Sequence, residues 1–175
     1  MDTKSCFFIG HHDADHTILP TLVEVVEQHI SEYGVTDFFV GRYGSFDSMS
    51  ARAVQIAKER HPEIRLTLVL PYHPAIRPIE KPKGFDNTYY PWEDKSIPKR
   101  LAIVKTNHRM VDTCNYLIAF AWHHLGSSGN IVDYARKREE RGLIRVTNLA
   151  QQLITRPHSS LCSCAVVENG LMIIR

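Results

Sequence analysis

Short apolar runs alternate with amphipathic stretches along most of the chain. The runs are rich in β-branched and aromatic residues, which is typical of buried strands, and they predict strands at 6–9, 35–40, 64–70, 116–120 and 143–146. Apolar residues spaced three and four apart predict helices over about 17–33, 47–61, 97–113 and 131–141. Strands and helices therefore follow one another in regular alternation.

This alternation predicts the fold class. A strand, a crossover helix and a further strand, repeated, give a parallel sheet with right-handed crossovers and helices on both faces. Strands that are apolar on both faces are typical of the centre of such a sheet. We expect an α/β fold, a Rossmann-like three-layer sandwich with a mainly parallel sheet of about five strands, over residues 1–150. Residues 151–175 form a C-terminal extension, where Asn169-Gly170 between two apolar runs predicts a β-hairpin.

One long segment departs from the pattern. Residues 71–98 hold six of the nine prolines, and a loop of this length is usually a lid, a binding loop or disordered. Its aromatic residues Tyr89, Tyr90 and Trp92 can either stack on a base or pack the loop against the domain. The sequence leaves both alternatives open.

Charge and composition restrict the classes of partner that we expect this protein to bind. Lys and Arg number 21 against 19 Asp and Glu, a formal net charge of +2, so nothing indicates a nucleic-acid or membrane footprint. No apolar run approaches the ~20 residues of a membrane-spanning helix. The four cysteines lack Cys-x-x-Cys spacing, which indicates reduced thiols in a cytoplasmic protein. We therefore expect a small-molecule partner, and neither a membrane nor a nucleic acid.

Glycine-bearing loops follow several predicted strands. They are residues 10–13, residues 41–47 and residues 126–130, the last opening a helix. The carboxyl ends of parallel strands share one edge of the sheet, and ligands bind there. Glycines let the backbone approach a ligand, and free amides at a helix start attract phosphate. We predict a phosphate-bearing ligand at this edge, with Arg42 as its most plausible cation.

An ordered set of motifs resembles the SLOG superfamily, the Rossmann-like group that contains the Lonely Guy phosphoribohydrolases and DNA-processing protein A. The resemblance covers about residues 5–148 and is closest to a bacterial and phage branch of uncharacterised SLOG proteins. The matched motifs are Ile9-Gly10-His11-His12, Gly41 with Gly44 and Asp47, Leu70-Pro71, Met110-Val111-Asp112 with Leu117-Ile118-Ala119, and Gly126-Ser127-Ser128-Gly129-Asn130 with Tyr134-Ala135.

The resemblance implies a nucleotide-derived ligand between the loops after the first and fourth predicted strands, and it implies a homo-oligomer. We expect no cofactor. Several positions differ from the family: His12 replaces an arginine, Ser127 a glycine and Ser128 a threonine. The hydrolases' helical arginine falls on Thr106, with Arg109 nearby. The candidate ligand-binding residues are Gly10, His11, His12, Gly41, Arg42, Gly44, Asp47, Arg109, Gly126, Ser127, Ser128, Gly129 and Asn130.

Enzymatic activity stays open at this point. The hydrolase members of the family carry a catalytic glutamate, and the corresponding residue here is Asp133, which is one methylene shorter. Glycosidic cleavage depends on a carboxylate held close to the anomeric carbon, so this difference argues against turnover. The alternatives are binding of a nucleotide-derived phosphate ligand in a sensor or accessory role, and cleavage of a nucleoside monophosphate with Asp133 as the catalytic carboxylate.

Two further ambiguities concern single residues. Asp47 either contacts the ligand or caps the helix that begins beside it. His11, His12 and Asp13 offer metal-ligating chemistry, which makes a metal-dependent hydrolase a further alternative. Adjacent histidines point in divergent directions, however, so we assign no metal ligand.

Overall fold

The computed structural model describes residues 3–93, 97–122 and 126–151. Within these ranges, one sheet is formed by β1 (Lys4–Gly10), β2 (Val35–Val40), β3 (Arg65–Val69), β4 (Asn87–Tyr89), β5 (Tyr116–Phe120) and β6 (Arg145–Asn148). The helices are α1 (Leu19–Ser31), α2 (Ser45–Lys58), α3 (Lys99–Thr113) and α4 (Ser127–Glu139). The predicted C-terminal hairpin lies outside the described residues.

The strand order in the sheet is β4-β3-β2-β1-β5-β6, and every pairing is parallel. The chain runs outward from β1 to β4 and then returns to place β5 on the other side of β1. This reversal leaves a crevice at the carboxyl ends of β1 and β5, where ligands bind in such sheets. The predicted Rossmann-like α/β fold is confirmed.

The sheet has six strands rather than the five expected. The additional strand, β4, lies inside the proline-rich segment 71–98 and is exposed along its whole length. It forms because the edge of β3 offers unpaired backbone groups: Leu70 N–H donates to the Tyr89 carbonyl at 2.8 Å, and the Asp86 carboxylate accepts from Leu66 N–H at 2.8 Å.

Two apolar clusters lie on opposite faces of the sheet, as a three-layer sandwich requires. Successive residues of a strand point to opposite faces, so Phe8 packs with Leu22 of α1 and Val54 of α2. Phe7 instead packs with Met110 of α3 and with residues of α4. Both faces of the central strands are thereby buried.

Two helices begin earlier than the apolar pattern predicts. The spacing of apolar residues predicts starts near 47 and 131, whereas α2 begins at Ser45 and α4 begins at Ser127. The first turn of α4 contains no apolar side chain, and that of α2 contains one, Phe46, between a serine and an aspartate. The apolar pattern therefore cannot mark these starts. Among the described residues, no helix is both long enough and apolar enough to cross a membrane.

Candidate functional site

A cavity of about 290 Å³ lies at the carboxyl edge of the sheet, in the crevice beside β1. It brings together the loop after β1, the loop after β2, the first turn of α4 and one face of α3. Its lining residues are Phe7, Phe8, Ile9, Gly10, His11, His12, Gly41, Tyr43, Gly44, Asp47, Ile103, Asn107, Gly126, Ser127 and Ser128. Nine of the predicted site residues are therefore gathered around one space.

Three of the glycines are required by contacts within the protein. A Cβ on Gly10 would lie 2.4 Å from the Phe46 ring, and one on Gly44 would lie 2.5 Å from the His12 Cα. A Cβ on Gly41 would lie 2.7 Å from the Asp47 carboxylate. Real side chains do not approach this closely, so these glycines allow the loops after β1 and β2 to pack against α2. They form the wall of the cavity.

Hydrogen bonds fix the loop after β1 on both sides. Ser45 at the start of α2 donates from its amide to the His12 carbonyl at 2.7 Å and from its hydroxyl to the Ala14 carbonyl at 2.9 Å. On the other side, the Ser128 hydroxyl donates to the Gly10 carbonyl at 2.9 Å. The loop is thus tied to the first turns of both α2 and α4.

The two predicted histidines of this loop have different environments. The His11 Nε2 accepts the amide proton of Trp122 at 3.0 Å, and its ring packs edge-on against Phe120. His11 therefore anchors the chain that follows β5. His12 is exposed, and its Nδ1 lies 3.7 Å from the Asp13 carboxylate.

Asp47 is the carboxyl group in the lining of this cavity. Its Oδ2 accepts the amide proton of Tyr43 at 2.8 Å, so Asp47, in the first turn of α2, holds the loop that precedes the helix. Burial raises the pKa of the carboxyl to about 6, although the hydrogen bond from Tyr43 opposes the shift. Asp47 is thus bonded to the residue before the N-cap Gly44 rather than to the helix end itself, and its carboxyl is a titratable group in the cavity lining.

The first turn of α4 forms the open side of the cavity. Gly126 precedes the helix with φ +95°, a conformation that favours glycine, and no atom of the described residues lies within 4 Å of the position a Cβ would take. No side chain in the described part of the chain caps this helix end. The first amides of a helix lack intrahelical acceptors and carry partial positive charge. This end of α4 can therefore accept an anion beside Ser127, whose side chain is exposed.

Five predicted site residues are not in this lining. Arg42 and Asn130 are exposed, and the Arg109 guanidinium lies 5.9 Å from the Trp92 ring centre. Gly129 and Asp133 line a separate cavity of about 50 Å³, together with Trp122 and Asn148. The residue aligned with the hydrolases' catalytic glutamate therefore belongs to a different space from the glycine-rich loops.

Sequence reasoning missed the contribution of α3 and of Tyr43. Ile103 and Asn107 line the cavity from α3, one helical turn apart. The only signal for Asn107 in the sequence was its position on the same helical face as the apolar residue Ile103. Nothing in the sequence distinguished Tyr43 from an ordinary loop residue.

Several motif residues hold the fold together rather than line the cavity. Tyr134 donates to the Asp112 carboxylate at 2.6 Å, and Arg138 forms an ion pair with the same carboxylate at 3.1 Å, so α3 and α4 are joined there. Trp92 donates to the Thr106 hydroxyl at 3.2 Å, and the Tyr89 ring contacts Phe39. These contacts favour packing over base stacking for both aromatic residues.

A metal centre is not found in the part of the chain that the structure describes. No group of three or more His, Cys, Asp or Glu side chains is arranged there to hold an ion. The combination of His11, His12 and Asp13 is accordingly not assembled as a metal site.

Solved structures share this fold. The chain is similar to the molybdenum cofactor binding protein from the phototrophic bacterium Rippkaea orientalis, with a TM-score of 0.54 and 16% identity, over 88% of this chain and 83% of that one. It is also similar to DNA processing protein A from Helicobacter pylori, with a TM-score of 0.52 and 11% identity, over 86% and 78% of the two chains. No protein-family model and no curated protein matches the chain.

These similarities define the class of fold. The chain has the Rossmann-like fold that the sequence motifs implied, and it shares this fold with both solved structures. At such low identity the likeness concerns the fold alone. What this chain binds has to be argued from its own residues.

Proposed function

We propose that this protein binds a nucleotide or a nucleotide-derived phosphate ligand in the cavity between the loops after β1 and β2 and the first turn of α4, in a sensor or accessory role. One observation carries the proposal: three segments that are remote in the chain converge on a single cavity. Two of them are helix starts, and at neither does a side chain among residues 3–93, 97–122 and 126–151 cap the helix.

The chemistry of the lining supports an anionic ligand with polar substituents. Backbone amides at the start of α4 suit a phosphate. Asn107 and Asp47 offer hydrogen-bonding groups for hydroxyl or base edges, and the apolar residues of β1 cover the cavity floor. Small-molecule sites typically combine apolar lining groups with a few convergent polar groups, and both kinds line this cavity.

The similar structures support a binding role. One is described as a molybdenum cofactor binding protein and the other by its single-stranded DNA binding mode. The near-neutral charge of this chain favours a small molecule over DNA.

Hydrolysis is the less supported alternative. It requires a carboxylate near the glycosidic bond, and Asp133 lies in the smaller cavity, behind the first turn of α4. The binding proposal needs no such group.

Ser127→Asp tests the proposal, with Ser127→Asn as a control of nearly equal shape. The carboxylate stands at the first position of α4, where it favours the helix dipole but occupies the anion site. We expect Ser127→Asp to weaken nucleotide binding about tenfold or more, measured by titration calorimetry, and to leave the melting temperature unchanged or raised. Ser127→Asn should bind within about threefold of wild type.

Two results would contradict the proposal. One is that no nucleotide binds to or stabilises the wild-type protein, since a ligand of the folded state raises its melting temperature. The other is equal binding by the Asp and Asn variants, which would place the ligand elsewhere.

A further inference from the structure

A second cavity, of about 230 Å³, lies at the carboxyl edge of β3. Its lining residues are Tyr72, Ile76, Arg77 and Lys99. Two of these four side chains are cationic, and the guanidinium of Arg77 lies 5.5 Å from the centre of the Tyr72 ring. The ring attracts the cation and so restricts where the guanidinium points.

The chain that carries these residues is held in a defined turn. Ile76 and Arg77 donate their amides to the His73 carbonyl at 2.8 and 3.0 Å, and Ala75 donates to the His73 ring at 3.1 Å. The His73 ring in turn packs edge-on against Tyr90, which follows β4. The Arg77 side chain therefore starts from a fixed backbone position.

Helix α3 links the second cavity to the first. Lys99 lines the second cavity, whereas Ile103 and Asn107 line the first, and residues four apart share one face of a helix. A rise of 1.5 Å per residue separates the Cα atoms of Lys99 and Ile103 by roughly 6 Å along the axis. The two cavities thus follow each other along one side of α3.

Tyr43 lines the first cavity, and it follows β2, the strand next to β3. Burial raises the pKa of its hydroxyl, while the nearby charge of Arg77 lowers it, so Arg77 lies within electrostatic range of the first cavity. Tyr72, which lines the second cavity, also acts on the pKa of Tyr43, so the linings of the two cavities come near each other here.

The charges of these cations are not neutralised within the described part of the chain. Neither Arg77 nor Lys99 forms an ion pair with a described residue, and the first turn of α3 contains no acidic residue. Arg42 adds a third positive charge near Tyr43. This end of the crevice therefore favours a second anionic group.

We propose that the cavity formed by Tyr72, Ile76, Arg77 and Lys99 is a second subsite, which receives the distal phosphate of a nucleoside diphosphate or triphosphate bound in the first cavity. The proposal rests on the proposed function, and it narrows the ligand class to nucleotides with more than one phosphate. The first cavity alone lies just below the ~300–1,000 Å³ typical of ligand pockets, which agrees with a ligand that occupies both.

The test compares nucleotides that differ only in the second phosphate. AMP and ADP, GMP and GDP, CMP and CDP, and UMP and UDP are titrated calorimetrically into the wild type, into Arg77→Gln/Lys99→Gln, and into Arg141→Gln/Lys105→Gln. The last variant removes the same charge from exposed residues that line neither cavity. All four side chains are exposed, so both variants are expected to fold.

For at least one base, we expect the diphosphate to bind the wild type about tenfold or more tightly than the monophosphate, because charged hydrogen bonds are strong. Arg77→Gln/Lys99→Gln should lose this preference while its monophosphate affinity stays within about twofold. The Arg141→Gln/Lys105→Gln variant should keep the preference.

Equal wild-type affinities for monophosphate and diphosphate would overturn the second subsite and leave the proposed function intact. Equal losses of both nucleotides in Arg77→Gln/Lys99→Gln would also overturn it. If a short oligothymidylate binds more tightly than every diphosphate, the second subsite is wrong, and the two cavities would instead form a groove for single-stranded nucleic acid. If no nucleotide binds the wild type, the proposed function fails together with the subsite.

Discussion

The two edges of the sheet hold buried titratable groups with opposite surroundings. At the carboxyl edge, Asp47 faces a cavity, and burial raises its pKa to about 6. At the amino edge, His29 is fully buried, and burial lowers its pKa. Its Nδ1 lies 2.7 Å from the Val25 carbonyl, and its Nε2 has no hydrogen-bond partner among the described residues.

Ring packing closes the amino edge. His29 contacts Tyr33 and Tyr116 edge-on, these two tyrosines stack at 5.4 Å, and the Arg145 guanidinium lies 4.3 Å above the Tyr33 ring. At the carboxyl edge, aromatic rings also pack together, namely those of His11, Phe46, Phe120 and Trp122, but glycines and helix starts leave a cavity beside them. Burial is thus the main cause of the pKa shift at both edges. Only at the carboxyl edge does the titrating group line a cavity, where its charge would act on a bound ligand.

The largest expected effect concerns the wall of the cavity. Gly10→Ala should lower the free energy of unfolding by about 2–3 kcal/mol, because the added Cβ meets the Phe46 ring, which is fully buried and stacked on Phe120. Urea denaturation measures this loss. Such a loss would show that the stability of the protein also depends on tight contacts at the carboxyl edge.

Phe46→Leu supplies the control for Gly10→Ala. In that background the alanine should cost clearly less, since a smaller side chain leaves room for the Cβ, and the double-mutant cycle should show a coupling of about 1 kcal/mol. An undiminished cost in the Phe46→Leu background would mean that another contact requires the glycine.

The next effect concerns ligand binding at the carboxyl edge. Above pH 6 the Asp47 carboxyl is ionised and repels a phosphate, whereas below pH 6 it is protonated, so wild-type affinity should fall as the pH rises through about 6. Asp47→Asn should bind the best nucleoside monophosphate about tenfold more tightly than the wild type at pH 7.5, and equally at pH 5.

The phosphate of the nucleotide also titrates in this range, and comparing the two proteins at each pH removes its contribution. Calorimetric titration measures both affinities. A pH profile that is the same in wild type and Asp47→Asn would show that the phosphate does not lie near Asp47.

The smallest effect concerns stability at the amino edge. The pKa of His29 is lowered from its ordinary value of 6.5, so below that pH the unfolded chain binds a proton that the folded chain does not. Stability should therefore fall as the pH drops below about 6.5. His29→Gln should reduce this pH dependence in thermal melts and leave nucleotide affinity unchanged. If the substitution altered nucleotide affinity, the separation of the two edges would be wrong.

The predictability of the fold differed between the central and edge strands. Strands β1, β2, β3 and β5 were predicted because they are apolar on both faces, which local sequence reveals. The strand β4 was missed because it is exposed and short, and it exists through pairing with β3. The last predicted strand, 143–146, lies two residues before the observed strand β6 at Arg145–Asn148. The bounds of β6 are set by its pairing with β5, which local sequence does not show.

The site was predictable to a similar extent. The loops that meet at the cavity follow from the parallel order of the strands, so Gly10, Gly44 and Ser127 could be named. The separation of Asp133 from them could not, because it depends on which face of α4 turns toward the crevice. Arg42 was placed by sequence position alone, and its side chain is exposed.

The sequence by itself determined the order of strands and helices and the edge at which the glycine-bearing loops emerge, because hydrophobic periodicity and chain chirality are local properties. Only the tertiary structure decided what the glycines make room for and which side chains share a cavity. Contacts such as that of Gly10 with Phe46, or the alignment of Lys99 with Asn107 along the crevice, arise between segments whose approach is set by packing.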